Sequence, residues 1–315
     1  PTRHVVSLDG EAIFDGSGKW KLDMDADSVP LAFVNHWTSS VLTDLDGNAS
    51  GKVVVGGRKG LTYVLLRAVA QNGAFTLPWT GGRYIIPNDS IVMDTTAIIF
   101  PEVHAQDIEG NPVEVVGAIY HDQFKDFQLD LHVDVDNALA FDKPDKEGEL
   151  LQGRVYATGH VDVTGKEDDI LVTADARTSG KSRFRLSLDN TSNAYESNFI
   201  HFVENKKNSV SQDTVAETDL DNIDIVVNNK KDSIRNTRAG KCQIALNLEV
   251  NPLLLFQLVL GVRNGDMIQA RGNGALRLTY DTQTGDVRLL GTYDINQGTL
   301  SYTVANVIRR EFTVG

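Results

Sequence analysis

The chain has 315 residues, of which 41% are hydrophobic and 23% charged, a composition typical of a folded protein rather than a disordered one. Its formal net charge is −13, and because no basic run interrupts this acidity, nucleic acid is excluded as a partner. A single cysteine, Cys242, excludes a disulfide framework and a thiolate metal site. We expect Cys242 to be a packed thiol at the start of a strand.

No apolar run reaches about eighteen residues and no secretory signal is visible, so we expect neither a membrane-spanning helix nor a targeting segment within the chain. The chain begins with Pro1 and ends at Gly315, directly after a strand-like run. We interpret it as a piece of a longer protein, whose targeting segment would lie outside it.

Strict alternation of apolar and polar side chains predicts β-strands along most of the chain, because successive side chains of a strand point to opposite faces. The pattern is present from Trp20 and is strictest between Asp126 and Asp136, where no residue breaks it. One face of each strand is therefore expected to be dry and the other wet. The dry residues of these two segments are Trp20, Leu22 and Met24, and then Phe127, Leu129, Leu131, Val133 and Val135.

The second half of the chain repeats this alternation. Its strands are separated by turns that contain the Gly, Asn and Asp residues of hairpins, as at Thr284-Gly285-Asp286, and Glu109-Gly110-Asn111 is a similar turn earlier in the chain. The pattern predicts a meander of antiparallel strands. The dry rows of this half are Val155 and Val161, Phe184 and Leu186, Ile244, Leu246 and Leu248, Leu276, Leu278 and Tyr280, and Leu289, Tyr293 and Ile295.

Helices are almost missing from the predicted elements. Only the run from Asn251 to Val262 is ambiguous, since it fits either a short helix or a buried strand. About twenty strands would form a sheet too long to remain flat and open. Because no helices are available to cover its dry face, the sheet must close into a sandwich or a barrel, or curl into a trough. Composition does not separate these three architectures.

A polar segment divides the chain. Residues 189–222 are rich in Asn, Ser, Asp and Lys, which predicts a long loop or insertion. The predicted organisation is therefore a first β segment over residues 1–188, the polar loop or insertion over 189–222, and a second β segment over 223–315.

No motif predicts a catalytic or metal site. His121-Asp122 has no nucleophile beside it, and the histidines are not spaced as zinc ligands are. The segment Asp44 to Asn48 resembles the start of a calcium loop. An EF-hand, however, requires glycine at its sixth position and glutamate at its twelfth, where this chain has Ala49 and Val55. We interpret the segment as a turn, and we expect neither a metal nor a cofactor.

Four carboxylates occupy the wet face of the strictest strand, namely Asp126, Asp130, Asp134 and Asp136. A glycosidase needs two carboxylates that face each other across a sugar at about 5–10 Å. A row of carboxylates along one strand is more typical of a solubilising face that discourages pairing at a sheet edge. We therefore expect no catalytic role for these residues.

The stretch from Met267 to Val314 carries the most specific pattern. It contains Gly272-x-Gly274-x-Leu276, Gly291-x-Tyr293-x-Ile295, Gly298-x-x-x-Tyr302 and Phe312-x-Val314. These elements resemble the C-terminal region of the TamB family, the translocation and assembly module subunits within the AsmA-like group of Gram-negative envelope proteins. The family pattern normally continues beyond the residue that is Gly315 here. The resemblance covers most of the chain and is weakest across residues 189–222.

The resemblance implies an all-β fold, a β-taco, in which one long antiparallel sheet curls into an open groove with an apolar interior and few or no helices. It also implies a periplasmic location between the inner and outer membranes, with the inner-membrane anchor outside this chain. The implied partner is an outer-membrane barrel of the Omp85 type, similar to TamA. The family has no catalytic motif, so no enzymatic activity is expected.

Three functional hypotheses follow. The first is a non-enzymatic conduit for phospholipid, in which the dry residues named above line a groove that holds acyl chains. The second is an assembly factor that pairs a sheet edge with outer-membrane or secreted β-proteins. The third is a sandwich or solenoid that binds glycan, in which the dry rows are buried against an opposite sheet.

Overall fold

The computed structural model consists almost entirely of β-strands. It describes residues 5–13, 19–35, 42–58, 61–123, 125–146, 149–166, 168–187, 223–227, 241–261, 265–304 and 308–314. One short 3-10 helix, η1 (Leu31–Val34), follows the second strand. The strands are β1 (Val5–Ile13), β2 (Lys19–Pro30), β3 (Thr43–Arg58), β4 (Leu61–Thr76), β5 (Arg83–Met93), β6 (Ala97–Asp107), β7 (Pro112–Asp122), β8 (Lys125–Lys143), β9 (Leu151–Lys166), β10 (Asp169–Ser187), β11 (Ile223–Val227), β12 (Lys241–Val250), β13 (Leu255–Gly261), β14 (Asp266–Asp281), β15 (Val287–Val304) and β16 (Ile308–Val314).

All sixteen described strands belong to one sheet. From β1 to β10 each strand pairs antiparallel with the next, which confirms the predicted meander for this part of the chain. Short connections make this order possible, since antiparallel neighbours can be joined by a tight turn. The turn after Asp107 and the turn after Asp281 are among those that the sequence predicts.

The purely antiparallel meander ends at β10, and here the prediction is wrong. β10 pairs in parallel with both β12 and β13. A parallel pair requires a long connection rather than a hairpin, and the chain between Ser187 and Lys241 supplies one. The antiparallel pattern returns at β14 and β15, and β15 also pairs with β11 and β16.

The sheet curls into a groove, which confirms the predicted fold class. The largest buried cluster unites distant strands, since Val155 of β9 and Leu186 of β10 belong to the same cluster as Val287 and Leu289 of β15. The dry side chains thus face one another across the groove. The sandwich alternative is wrong for the described residues, because they form one sheet rather than two.

Three local predictions have definite outcomes. The segment Asp44 to Asn48 is not a turn. It lies within β3, where the pairing with β4 is irregular on both sides of Asp46, and Gly47 adopts a φ of 91°. The ambiguous run from Asn251 is a turn followed by strand β13. Cys242 is buried near the start of β12, as expected, and burial raises the pKa of its thiol.

The predicted wet and dry faces of β8 are confirmed. Asp126, Asp130, Asp134 and Asp136 are exposed, whereas Leu129 and its dry neighbours are buried or half-buried. The aspartates do not protect a sheet edge, however, because β8 is an interior strand between β7 and β9. Residues 189–222 lie outside the described residues, so the predicted division of the chain into two β segments remains a prediction.

Candidate functional site

A large cavity follows the inner face of the curled sheet. Its volume is about 2170 Å³, more than twice the roughly 1,000 Å³ upper end for small-molecule pockets. Residues from every strand between β3 and β10, and from β12 to β15, line it, and so does Leu31 of η1. Asn35, directly after η1, exchanges two hydrogen bonds with the backbone of Leu45, at 3.0 and 3.2 Å, which attach the end of this helix to β3.

An unbroken row of aliphatic side chains crosses the floor of this cavity. Residues that are direct cross-strand partners point to the same face of a sheet, so the strand register defines rows that run along the groove. One such row spans eight strands, and every member lines the cavity. We call it the floor row: Val103, Val115, Val133, Val161, Ala174, Leu246, Leu278 and Leu289.

A second row connects the first strands of the chain to this floor. It is also continuous in register, and it reaches the cavity at Ile98. Its members on β2 to β5 lie beyond the cavity but on the same face, so the dry face extends further than the enclosed space. The row is Met24, Val53, Leu66, Met93, Ile98, Ile119 and Leu129.

Two thirds of the residues that the sequence singled out for the groove lie together. Fourteen of the twenty-one line the cavity, and they come from six strands between β8 and β15. They therefore lie on one surface. The fourteen are Leu129, Leu131, Val133, Val135, Val155, Val161, Phe184, Ile244, Leu246, Leu248, Leu276, Leu278, Tyr280 and Leu289.

The remaining seven lie outside the cavity, for two reasons. Trp20, Leu22 and Met24 belong to β2, which lies beyond the cavity's end, and Trp20 is 40% exposed. Of the other four, three pack against neighbouring side chains instead of facing the cavity, and the fourth lies further along β15. Leu186 and Tyr293 pack in the cluster around Val155, Phe127 packs edge-on against His121 with ring centroids 5.8 Å apart, and Ile295 follows Tyr293 on β15.

Strands β4 to β7 supply lining residues that the sequence did not indicate. Ile98, Phe100, Val103 and Ala105 of β6 all face the cavity. A bulge between Phe100 and Val103 moves the inward positions from even to odd numbers, so strict alternation fails across the strand. Reading the strand as two alternating pieces, separated at Pro101-Glu102, would have found them.

A buried polar network holds the curl of β5, β6 and β8. Tyr84 donates a hydrogen bond through Oη to the backbone carbonyl of Leu139, 3.2 Å away. Burial raises the pKa of Tyr84 to about 12. The Asp107 carboxylate accepts hydrogen bonds from the backbone N–H groups of Leu139, Glu109 and Asn111, and from the Asn111 amide. Burial opposes ionisation of Asp107, but these donors together hold its pKa below the usual value.

The outer face of the sheet carries histidine–aspartate pairs between neighbouring strands. His132 lies 2.5 Å from Asp162 across strands β8 and β9, and His160 contacts Asp134 in the same way. Both pairs are exposed, as is typical of a solvated face.

One group of described residues could hold a metal ion, and it also lies on the outer face. Glu102, His104 and Glu114 place one ligand atom each within 4.8 Å of one another. Exposed acidic groups of this kind are common without an ion. Neither this group nor the histidine pairs contacts the cavity.

Comparison with known families identifies the chain. The model of the TamB C-terminal domain matches residues 102–315. This chain belongs to the TamB family. The match includes strands β7 to β16 and the second half of β6, and therefore the whole floor row. Comparisons with curated proteins and with solved structures gave no significant match.

TamB membership places the chain in the cell envelope of Gram-negative bacteria. The family takes part in envelope protein assembly and lipid transport, as a non-enzymatic component associated with the outer-membrane assembly machinery. Among the residues that the structure describes, no helix has the length and apolar character needed to cross a bilayer.

Proposed function

We propose that this chain is a segment of a bridge that carries phospholipid across the periplasm toward the outer membrane, with the acyl chains held in the groove. The observation that carries the proposal is the floor row, in which eight successive strands each present an aliphatic side chain to one continuous cavity. An acyl chain is the ligand whose shape and chemistry fit such a long, uniformly apolar surface. The lipid headgroup would remain at the open side, in water.

The energetics of this surface suit transport better than storage. Each methylene that leaves water gains about 0.8 kcal/mol, so a sixteen-carbon chain gains on the order of 10 kcal/mol. Neighbouring strands lie about 4.8 Å apart, and each step along the floor row replaces one aliphatic contact with another. The binding energy therefore stays similar from step to step, and the lipid can slide without a deep trap.

The proposal includes a location and a partner. The groove would span part of the distance between the two membranes. An outer-membrane barrel of the Omp85 type would receive the lipid. The strongly acidic composition suits a surface that stays soluble while its interior is apolar.

Site-specific crosslinking in cells tests the conduit. A photoreactive residue at Leu131, which lines the cavity, is expected to capture phospholipid that mass spectrometry identifies. The matched control is the next residue, His132, which is exposed on the outer face and should capture none. Equal capture at the two positions, or no lipid at Leu131, would refute the conduit.

A second function is favoured by the edge of the sheet at β1. Among the described strands, β1 pairs only with β2, and its Val6 and Leu8 side chains are 51% and 62% exposed. A strand edge with exposed apolar side chains is able to accept a further strand. The chain would then assist the assembly of outer-membrane or secreted β-proteins.

The two functions predict different crosslinks. A photoreactive residue at Leu8 should capture a β-protein client if strand addition operates, and an additional Val6→Pro substitution on the same strand should abolish that capture because proline cannot donate to a strand ladder. Lipid capture at Leu131 should persist in this variant if the conduit is separate. Absence of any protein adduct at Leu8 would exclude the assembly role at this edge.

A further inference from the structure

The groove has one polar region in an otherwise apolar lining. Apart from two tyrosines and a tryptophan, the polar side chains that line the cavity come from three neighbouring pieces of chain. These are the turn after β4, the end of β8 with the connection to β9, and the turn between β14 and β15. We call this region the polar mouth; its residues are Thr80, Lys143, Glu149, Thr282, Gln283, Thr284 and Asp286.

The three pieces are brought together in space by specific contacts. The backbone N–H of Asp142 donates to the carbonyl of Thr80 at 2.8 Å, which fixes the first turn beside Lys143. Lys143, Glu149 and Tyr280 line the same cavity, and Glu149 acts electrostatically on both of the other two. The mouth is therefore a single site assembled from distant parts of the sequence.

The described residues on either side of the β8–β9 connection, Asp145, Lys146 and Glu149, are hydrogen-bonded to β9 and β10. The buried amide of Gln152 donates to the carbonyls of Lys146 and Glu149, at 2.7 and 2.9 Å. Arg183 on β10 donates to the Asp145 carboxylate at 2.7 Å. These contacts fix the backbone on both sides of the mouth, so Lys143 and Glu149 keep their positions relative to the floor.

Lys143 gives the mouth its chemical character. It is the only basic residue among the described residues that line the cavity, and it is half-buried there. Burial lowers the pKa of its ammonium group, an effect that the nearby Glu149 partly offsets. A half-buried cation beside an apolar groove is stabilised by an anion that lies next to it, where the groove meets water.

Resting on the proposed function, we infer that the polar mouth is a headgroup site for a zwitterionic phospholipid. The Lys143 ammonium would bind the phosphate, the Glu149 carboxylate would face the headgroup ammonium, and the acyl chains would follow the floor row. The mouth would then act as a position at which a lipid is recognised before its chains slide. Outside the mouth, the groove would distinguish lipid headgroups little, because its lining is apolar.

Lipid binding by the purified chain tests this site. Native mass spectrometry would compare dipalmitoyl phosphatidylethanolamine, dipalmitoyl phosphatidylglycerol and dipalmitoylglycerol, the last of which lacks a phosphate. The wild type is expected to bind the ethanolamine lipid about tenfold more tightly than dipalmitoylglycerol, as one charge-assisted hydrogen bond predicts. Lys143→Gln should remove this preference while binding of dipalmitoylglycerol stays unchanged, which also shows that the variant is folded.

Two further variants sharpen the test. Glu149→Gln should shift binding toward the anionic glycerol headgroup, because the carboxylate that repels it is removed. Lys166→Gln changes an exposed lysine outside the cavity and should leave all three lipids unaffected. A preference for the ethanolamine lipid that survives in Lys143→Gln would overturn the headgroup site.

Two other outcomes separate the inference from neighbouring explanations. If millimolar inorganic phosphate abolishes the preference, the mouth is a general anion site and the headgroup assignment is wrong. If the wild type binds none of the three lipids, the conduit itself fails, and the headgroup site fails with it. Lipid binding without headgroup preference would leave the conduit standing and overturn only the mouth.

Discussion

Tyr84 of β5 and Leu139 of β8 are joined by a hydrogen bond of 3.2 Å, although β6 and β7 lie between their strands in the sheet. In a flat sheet, strands three places apart would be about 14 Å from each other. The bond therefore exists only because the sheet curls here. The curvature of the groove is therefore linked to a hydrogen bond that is lost when one atom, Oη of Tyr84, is removed.

Tyr84→Phe is expected to lower the free energy of unfolding by about 1 kcal/mol, since it removes one hydrogen bond and leaves the ring in place. Urea denaturation would measure the change, with an unaltered dependence on urea concentration. The matched control is Tyr120→Phe, whose side chain is 47% exposed and whose effect should stay within about 0.5 kcal/mol. Equal effects of the two substitutions would contradict a special role for the Tyr84 hydroxyl.

Leu246→Glu places a charge at the middle of the floor row, on a half-buried side chain that lines the cavity. If the groove is open to lipid, water can hydrate the new carboxylate, so the strand content measured by circular dichroism should persist. Lipid occupancy should fall at least tenfold, because a charge in an apolar site costs several kcal/mol. The control is Gln243→Glu, an exposed position on the same strand. Global unfolding of Leu246→Glu alone would instead indicate a closed core.

Asp107→Asn should destabilise the protein by about 2–3 kcal/mol at pH 7, because an amide cannot accept all the hydrogen bonds that the carboxylate accepts. The folded state lowers the pKa of Asp107, so its contribution is present above the unfolded value of about 3.9 and is lost as the pH falls through the lower folded value. The difference in free energy of unfolding between the wild type and Asp107→Asn should thus shrink below about pH 4. A difference that is independent of pH would argue against ionised Asp107, and the exposed Asp122→Asn serves as the control.

Gly153→Ala should be severely destabilising, whereas Gly110→Ala should cost little more than backbone strain. Both glycines have positive φ angles, of 128° and 87°, which disfavour alanine by about 1–2 kcal/mol. Only at Gly153 would the new Cβ lie 2.2 Å from a backbone oxygen, that of Arg183, while Gly110 has open space. Thermal unfolding of the two variants would separate the crowding from the strain, and similar melting temperatures would refute this account.

The strands and their faces were predictable wherever pairing is regular. The residues from Phe127 to Val135 face as predicted, because side-chain direction in a strand is a local property of the backbone. The prediction failed where bulges shift that direction, as between Phe100 and Val103, and in β3 around Asp46. A bulge depends on how a strand fits its neighbour, which alternation within one strand does not encode.

The alternation of side chains was enough to establish an all-β protein with one dry face, and the C-terminal pattern was enough to indicate its family. How the strands combine was decided by contacts between distant parts of the chain. Three features were decided in this way: the parallel pairing of β10 with β12, the hydrogen bond from Tyr84 to Leu139, and the position of Lys143 and Glu149 in the same polar mouth. A two-residue period specifies which way a side chain points but carries no information about which strand, many residues away, lies opposite it.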